Sequence, residues 1–155
     1  IFTGLYKQKR IKPVDASAKN IDPFVFVDDD GNAYLYHVRF DKGNYIWVAP
    51  YNMVSGSIDK SKLRRCLENT ESWERTDDYP SVPIMEGPTV IKHKGKYYLF
   101  YSANHFMSRD YAVGYAVADS PLGPWKKPMD NRIIHRSTVG ENGSGKIPSL
   151  FYHAV

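Results

Sequence analysis

Short hydrophobic runs alternate with polar turns along most of the chain. Phe24 to Val27 is apolar, residues 28–32 (Asp-Asp-Asp-Gly-Asn) carry a strong turn signal, and residues 33–40 have the composition of a strand. After a further turn we expect a third strand over residues 45–49, ended by Pro50. The pattern predicts antiparallel strands joined by tight turns.

The same pattern returns later in the chain. Residues 89–91 are apolar, residues 93–96 form a turn, and residues 97–101 and 111–118 have the composition of strands. Between the two patterns, residues 58–67 partly satisfy both the strand period and the helix period, so an outer strand or a short helix is expected there. The sequence therefore predicts an all-β protein.

The two patterns repeat at an interval of 64 residues, from Asp22 to Glu86 and from Gly31 to Gly95. Only Gly87, inserted before the proline of the second unit, breaks this spacing. A repeat of this length around a strand–turn–strand core is typical of propeller blades. Since about four blades are needed to close a propeller, we interpret the 155 residues as a fragment.

The repeat also predicts the domain organisation. We expect one partial propeller domain over residues 1–155. Its parts would be a leading loop (1–20), a first blade (21–83), a second blade (84–130) and the start of a third (131–155).

Composition and charge narrow the function. The chain is 14% aromatic, which suits strand packing and also a surface that stacks on sugar rings. The net charge of +4 is modest and its basic residues are scattered among acids, so a nucleic-acid partner is not expected. No run approaches the ~18 apolar residues of a membrane span, and no membrane partner is expected. Cys66 is the only cysteine, which excludes an internal disulfide.

Two carboxylates stand out because each precedes a proline at the start of a strand. Asp22 precedes Pro23, and Glu86 precedes Gly87-Pro88. A single acid there would most simply cap a turn, but two acids at matching places of two blades would face one axis. Glycosidic bond cleavage uses such a pair, in which one acid protonates the leaving oxygen. Glu has the longer reach for that step, and a neighbouring Asp would keep its pKa high.

The residues around these acids resemble a known family. Residues 21–36 and 85–102 are similar to consecutive blades of glycoside hydrolase family 43, and residues 118–125 resemble its blade-closing segment. The resemblance implies an incomplete five-bladed β-propeller that inverts configuration at arabinose- or xylose-containing glycans. It implies that Glu86 is the general acid and that Asp22 tunes its pKa and orients it.

Two features depart from the family pattern. The catalytic base would lie upstream of residue 1, and Asp15 has the wrong context to replace it. Residues 139–146 resemble a segment that usually ends in a histidine near the axis, where this chain has Lys146. No role is therefore assigned to Lys146, and we expect the chain by itself to be inactive.

Further polar residues are candidates for substrate binding. His37 and Arg39 lie near the end of one predicted strand, and Asn104 and His105 follow the corresponding strand of the second unit. We expect both pairs to line one pocket. The alternative is that they anchor loops.

The remaining expectations concern partners. We expect a pentose-containing glycan as substrate, no metal ligands among the candidate residues and no required cofactor, with an axial calcium ion left open for the intact protein. Calcium at residues 28–32 is disfavoured because both flanks have the pattern of strands. Secretion or a periplasmic location is slightly favoured, and the oligomeric state is left open. A non-catalytic carbohydrate-binding propeller is the alternative function.

Overall fold

The computed structural model describes residues 14–17, 19–75, 82–108 and 110–135. In these ranges the chain forms nine β-strands and two short 3-10 helices, with no α-helix. The strands are β1 (Asn20–Val27), β2 (Ala33–Phe40), β3 (Asn44–Asn52), β4 (Ser57–Ile58), β5 (Arg64–Arg65), β6 (Met85–His93), β7 (Lys96–Ala103), β8 (Ala112–Ala118) and β9 (Arg132–Ile134). The 3-10 helices are Lys60–Lys62 and Ser72–Glu74. None of the helices described here is long and apolar enough to cross a membrane.

The strands form two antiparallel sheets. In the first sheet the order is β1-β2-β3-β4, and β5 also pairs with β3. In the second sheet the order is β6-β7-β8-β9. The described part of the chain is therefore all-β. Within each sheet, strands that follow each other in the chain are neighbours, which is the up-and-down order of a propeller blade.

The hairpins that open the two sheets turn differently. The β1–β2 loop has five residues and is closed by a hydrogen bond from the Asp28 N–H to the Asn32 oxygen at 2.9 Å. The β6–β7 turn has two residues, Lys94 and Gly95, with φ values of 48° and 74°. Positive φ at both central residues matches the right-handed twist of the flanking strands, which explains the tight second turn.

The main core lies between the two sheets. Alternate side chains of each sheet point to one face, and those facing the partner sheet are apolar. Fully buried members of this core are Tyr36, Val38, Ile46 and Val48 of the first sheet, and Met85, Leu99, Tyr101 and Ala103 of the second. Burial of this apolar surface holds the two sheets together.

A polar cluster also joins the two sheets. The Lys92 ammonium lies 2.6 Å from Asp28 Oδ1 and 2.9 Å from Asp29 Oδ2, and the Tyr97 hydroxyl donates to Asp28 at 2.5 Å. Burial of Asp28 acts to raise its pKa, but the hydrogen bonds from Lys92 and Tyr97 lower it below the ordinary value. Asp28 therefore remains ionised where the sheets meet.

A second polar network anchors the segment between the sheets. Glu74, which is 1% exposed, accepts hydrogen bonds from the backbone N–H groups of Thr70 and Glu71 and from the Tyr101 hydroxyl. The Lys127 ammonium pairs with Glu74 at 2.6 Å, so the buried charge is compensated. This network fixes the segment before β6 against the second sheet.

The structure differs from the sequence predictions at three places. Pro50 lies inside β3, opposite Tyr34, and its carbonyl oxygen accepts from the Asp59 N–H, so the strand continues to Asn52. Residues 58–67 contain both predicted forms, since a 3-10 helix separates two short strands. β9 pairs with β8, so the second sheet extends past residue 130, where the second blade was expected to end. Most of the predicted third blade lies outside the described residues.

Candidate active site

The two candidate acids lie next to each other although they belong to different sheets. Asp22 is near the start of β1 and Glu86 is near the start of β6. The Asp22 carboxylate accepts a hydrogen bond from the backbone N–H of Gly87 at 3.0 Å, and Gly87 directly follows Glu86. The predicted convergence of the two strand starts is therefore present in the fold.

Each strand start contains a bulge that places its acid. The pairing register shifts between Ile21 and Phe24 in β1, and between Glu86 and Thr89 in β6. The left-handed residue of the first bulge is Asp22 itself, with φ of 50°. A bulge bends the strand and redirects a side chain, and here it leaves the Asp22 carboxylate facing the neighbouring strand start.

The acids do not occupy equivalent backbone positions, in contrast to the sequence prediction. The last paired residue before the bulge is Ile21 in β1 and Glu86 in β6. The left-handed position that follows is Asp22 in the first sheet and Gly87, with φ of 58°, in the second. The first paired residues after the bulges, Phe24 and Thr89, lie 65 positions apart, whereas their partners across the hairpins, Tyr36 and Phe100, lie 64 apart, because the first hairpin is one residue longer between these pairs. The two carboxylates thus approach each other from different backbone positions.

Asn44 is a site residue that the sequence analysis missed. Its side-chain amide donates to Glu86 Oε1 at 2.6 Å. The Asn44 backbone N–H donates to the Pro83 oxygen at 2.8 Å, and Asn44 forms a parallel bridge with Ile84, so the start of β3 lies against the start of β6. An asparagine in a turn has no local feature that indicates a partner 42 residues away, so only the fold identifies it.

Tyr111 is a second residue that the sequence analysis missed. It lies directly before β8 and is 5% exposed. The negative charges of Glu86 and Asp22 both act to raise the pKa of its hydroxyl group. Its hydroxyl oxygen lies beside Ser102 without meeting the geometry of a hydrogen bond.

His37 stays a prediction as a substrate ligand, and the structure places it in a buried contact with Asp15. It is 1% exposed among the described residues, and its Nε2 lies 2.9 Å from Asp15 Oδ2. Asp15 is itself buried and also accepts from the Ser17 N–H and from the Asn20 amide. Burial acts to raise the pKa of Asp15, but its hydrogen bonds from Ser17, His37 and Asn20 lower it well below the ordinary value.

Asn104 also stays a prediction as a substrate ligand. It is 5% exposed, and its side-chain amide donates to the Trp73 oxygen at 2.7 Å and to the Asp110 oxygen at 2.8 Å. It has a φ of 76° and lies at the start of the loop that leads to β8. These hydrogen bonds join the loop to the segment around Trp73.

Arg39 and His105 stay predictions as substrate ligands. Arg39 is partly buried, and its guanidinium carbon lies 4.9 Å from the centre of the Trp47 ring. His105 is partly exposed and stacks on Phe106 at 4.5 Å between ring centres. His105 Nδ1 accepts from the Met107 N–H, which orients the ring.

A separate groove lies away from the acid pair. It has a volume of about 520 Å³ and is lined by Tyr34, Tyr51, Asp59, Lys62 and Leu122 among others. Apart from Leu122, which follows β8, these residues lie at or beside the end of the first sheet opposite to Asp22, so the groove is not part of the candidate site.

Metal ligation is not indicated in the part of the chain that the structure describes. There, no group of three or more His, Cys, Asp or Glu side chains is arranged to hold a metal ion. Lys146, at the place of the family's histidine, lies outside the described residues.

Comparison with known proteins matches most of the chain to one family. The sequence model of the family described as "Glycosyl hydrolases family 43" matches residues 2–147. The structure is similar to that of an endo-1,4-beta-xylanase from Bacteroides thetaiotaomicron VPI-5482, with a TM-score of 0.73 and 42% sequence identity. That similarity covers 84% of this chain and 43% of the xylanase chain.

Two curated proteins extend the comparison. The chain is 28% identical over 123 residues to a beta-D-galactofuranosidase of Aspergillus niger, covering 79% of this chain and 31% of that protein. It is 31% identical over 115 residues to an arabinoxylan arabinofuranohydrolase of Paenibacillus polymyxa, covering 67% of this chain and 16% of that protein. The chain thus spans less than half the length of each protein to which it is compared.

Proposed function

The chain belongs to the glycosyl hydrolases of family 43, and on this premise we propose that the protein cleaves glycosidic bonds with Glu86 as general acid. Asp22 would raise the pKa of Glu86 and hold it in place. The substrate would be a glycan that contains arabinose or xylose. The reaction is proposed for the complete protein, because this chain spans less than half the length of the proteins to which it is compared.

The observation that carries the proposal is the contact between the two strand starts. The Asp22 carboxylate accepts from the backbone N–H of Gly87, the residue after Glu86, at 3.0 Å. A like charge so close to Glu86 favours the protonated form of Glu86, which is the form that a general acid needs. If Asp22 only capped a turn, its role would not require a second acid nearby.

The proposed reaction is a single displacement. Glu86 gives its proton to the glycosidic oxygen as the bond from the sugar carbon to that oxygen breaks. A water molecule attacks the sugar carbon from the opposite face, and a second carboxylate takes the water's proton. Asn44 holds the Glu86 carboxyl group by its hydrogen bond to Oε1, which orients the acid during transfer. This chemistry needs water and carboxyl groups, so the proposal includes no cofactor.

The substrate class is the less specific part of the proposal. The solved relative is named a xylanase and one curated relative an arabinoxylan arabinofuranohydrolase, which supports a pentose-containing glycan. Another relative is named a galactofuranosidase, so the substrate test should include a hexofuranoside.

The test is Glu86→Gln in the complete protein, assayed on two kinds of substrate. Glutamine keeps the shape but has no proton to donate. Hydrolysis of xylan-derived or arabinan-derived oligosaccharides should fall about 10²- to 10⁴-fold. Hydrolysis of dinitrophenyl pentosides should fall far less, because that leaving group needs no proton.

Glu68→Gln serves as the matched control, because Glu68 is exposed and paired only with the nearby Arg65 in the described structure. It should leave both activities unchanged. Equal activity of Glu86→Gln and the parent on natural oligosaccharides would refute the assignment of the acid. Binding of the oligosaccharides by a parent protein that does not cleave them would favour the carbohydrate-binding alternative.

A further inference from the structure

Tyr111 is buried, and its hydroxyl group makes no hydrogen bond within the described part of the chain. The residue is 5% exposed, and its hydroxyl oxygen is buried with no hydrogen-bond partner among the described residues. A buried polar group left without a partner costs about 1–3 kcal/mol. Such a group in a native protein calls for a specific explanation.

The strand register indicates that Tyr111 shares the face of Glu86. Ser102 of β7 pairs with Glu86 on one side and with Val113 of β8 on the other. Tyr111 directly precedes β8, and if the alternation of β8 continues by one residue, Tyr111 shares the face of Val113, Ser102 and Glu86. It would then be a diagonal neighbour of Ser102, and a long aromatic side chain can reach across such a diagonal. The charges of Glu86 and Asp22 both act on the Tyr111 hydroxyl, which agrees with this placement.

The surroundings keep this hydroxyl protonated. Burial raises the pKa of Tyr111 to about 12, the neighbouring Ser102 hydroxyl opposes that shift, and the charges of Glu86 and Asp22 add to it. These two carboxylates, from β6 and β1, are the charged groups that act on Tyr111 within the described part of the chain. Tyr111 thus remains a neutral hydrogen-bond donor at every pH at which Glu86 titrates.

We propose that Tyr111 is a positioning residue for Glu86, whose carboxylate form it stabilises by donating its buried hydroxyl proton as a hydrogen bond. This inference rests on the proposed function, in which Glu86 loses a proton in each turnover. Donation to the carboxylate lowers the pKa of Glu86, whereas the nearby charge of Asp22 raises it. Asn44 already donates to Oε1 of the same carboxyl group from the β3 side. The charge of Asp22 would keep Glu86 protonated before the proton transfer. The hydrogen bond from Tyr111 would stabilise the Glu86 carboxylate after the transfer.

The experiment is a titration of Glu86 in the complete protein with carboxyl-¹³C-labelled glutamate. The Glu86 signal is assigned by its loss in Glu86→Gln. Tyr111→Phe keeps the ring and removes the hydroxyl, so the pKa of Glu86 should rise by about one unit. The basic limb of the kcat/KM pH profile should move to higher pH by the same amount.

Tyr115→Phe is the matched control, because Tyr115 is a partly buried tyrosine of β8, the strand that Tyr111 directly precedes. It should leave the Glu86 titration unchanged. A folded Tyr111→Phe protein with an unchanged Glu86 pKa overturns the proposal. Should that variant fail to fold, 3-fluorotyrosine at position 111 is a stronger donor and should lower the Glu86 pKa. No shift there overturns the proposal equally.

The titration separates this inference from the proposed function because it needs no turnover. A parent protein that hydrolyses no glycoside, yet shows the Tyr111-dependent shift, refutes the proposed function and supports the contact. An active parent without the shift refutes the role of Tyr111 and leaves the assignment of Glu86 intact.

Discussion

The two sheets share one hairpin plan, but they place their site carboxylates and their buried charges differently. In the first sheet the acid Asp22 occupies the left-handed position of the bulge, and in the second the acid Glu86 precedes it. Beside the first sheet, the buried carboxylate of Asp15 accepts hydrogen bonds from Ser17 and Asn20 and contacts His37. At the second sheet the buried Glu74 pairs with an ammonium group. Similar sequence patterns thus produced sheets with different electrostatic support.

The largest effect should come from breaking the support of the second sheet. Glu74→Ala leaves the Lys127 ammonium, whose side chain is 8% exposed, without its carboxylate. We expect the free energy of unfolding to fall by about 3–5 kcal/mol. Urea unfolding of the complete protein measures this. Glu68→Ala, at an exposed pair, should cost no more than about 0.5 kcal/mol. Equal costs would mean that Glu74 is not supporting the sheet.

The second prediction tests whether the first sheet acts on the second through charge. Asp22→Asn keeps an oxygen that can accept from Gly87 but removes the charge. The pKa of Glu86 should then fall, and the basic limb of the kcat/KM profile should move to lower pH. At the optimum of the parent protein we expect an activity about ten- to a hundredfold lower. A basic limb that stays in place would show that Asp22 does not tune Glu86.

A third prediction concerns the buried carboxylate of the first sheet. Because hydrogen bonds hold the pKa of Asp15 below its unfolded value, its stabilising contribution is fully present above the unfolded pKa of about 3.8. It is lost as the pH falls from there toward the folded pKa. Asp15→Asn should therefore lower the free energy of unfolding by about 2 kcal/mol at pH 7 and by less at pH 3. Asp41→Asn, an exposed control, should show no such trend. A cost that does not depend on pH would contradict an ionised Asp15.

The smallest effects should be equal in the two sheets. Gly31 and Gly95 lie in the opening hairpins at φ of 80° and 74°, and an added Cβ would meet no atom within 4 Å at either position. Alanine at each should cost about 1 kcal/mol, from backbone strain alone. Asparagine tolerates this conformation better and should cost less. Thermal unfolding of the four variants provides the measurement. A smaller cost at Gly31 would mean that the longer first loop relaxes around the new side chain.

Much of the fold was predictable because strand and turn signals are local. The hairpins at residues 20–40 and 85–103 follow from apolar alternation and from glycine-containing turns. The segment between the sheets was not predictable, because Glu74 and Lys127 are partners across 53 residues of sequence. Pro50 was wrongly predicted to end its strand. Proline has no N–H to donate, but the Pro50 carbonyl oxygen still accepts a hydrogen bond.

The site was predictable to the extent that it repeats. Asp22 and Glu86 were identified because acid and proline recur together at the starts of two strands. The buried contacts of His37 with Asp15 and of Asn104 with Trp73 were not predictable, because polar residues near strand ends serve loop anchoring as readily as ligand binding. Their burial depends on which loops fold over them, and the strand pattern does not contain that information.

The sequence by itself determined the all-β class, the duplicated hairpin and the two acids, because side-chain periodicity and turn chemistry act between neighbouring residues. Only the tertiary structure decided that the acids sit at different bulge positions and that Asn44 donates a hydrogen bond to Glu86. These relations depend on how one sheet packs on the other. A contact between residues far apart in the chain exists only once packing has brought their strands together.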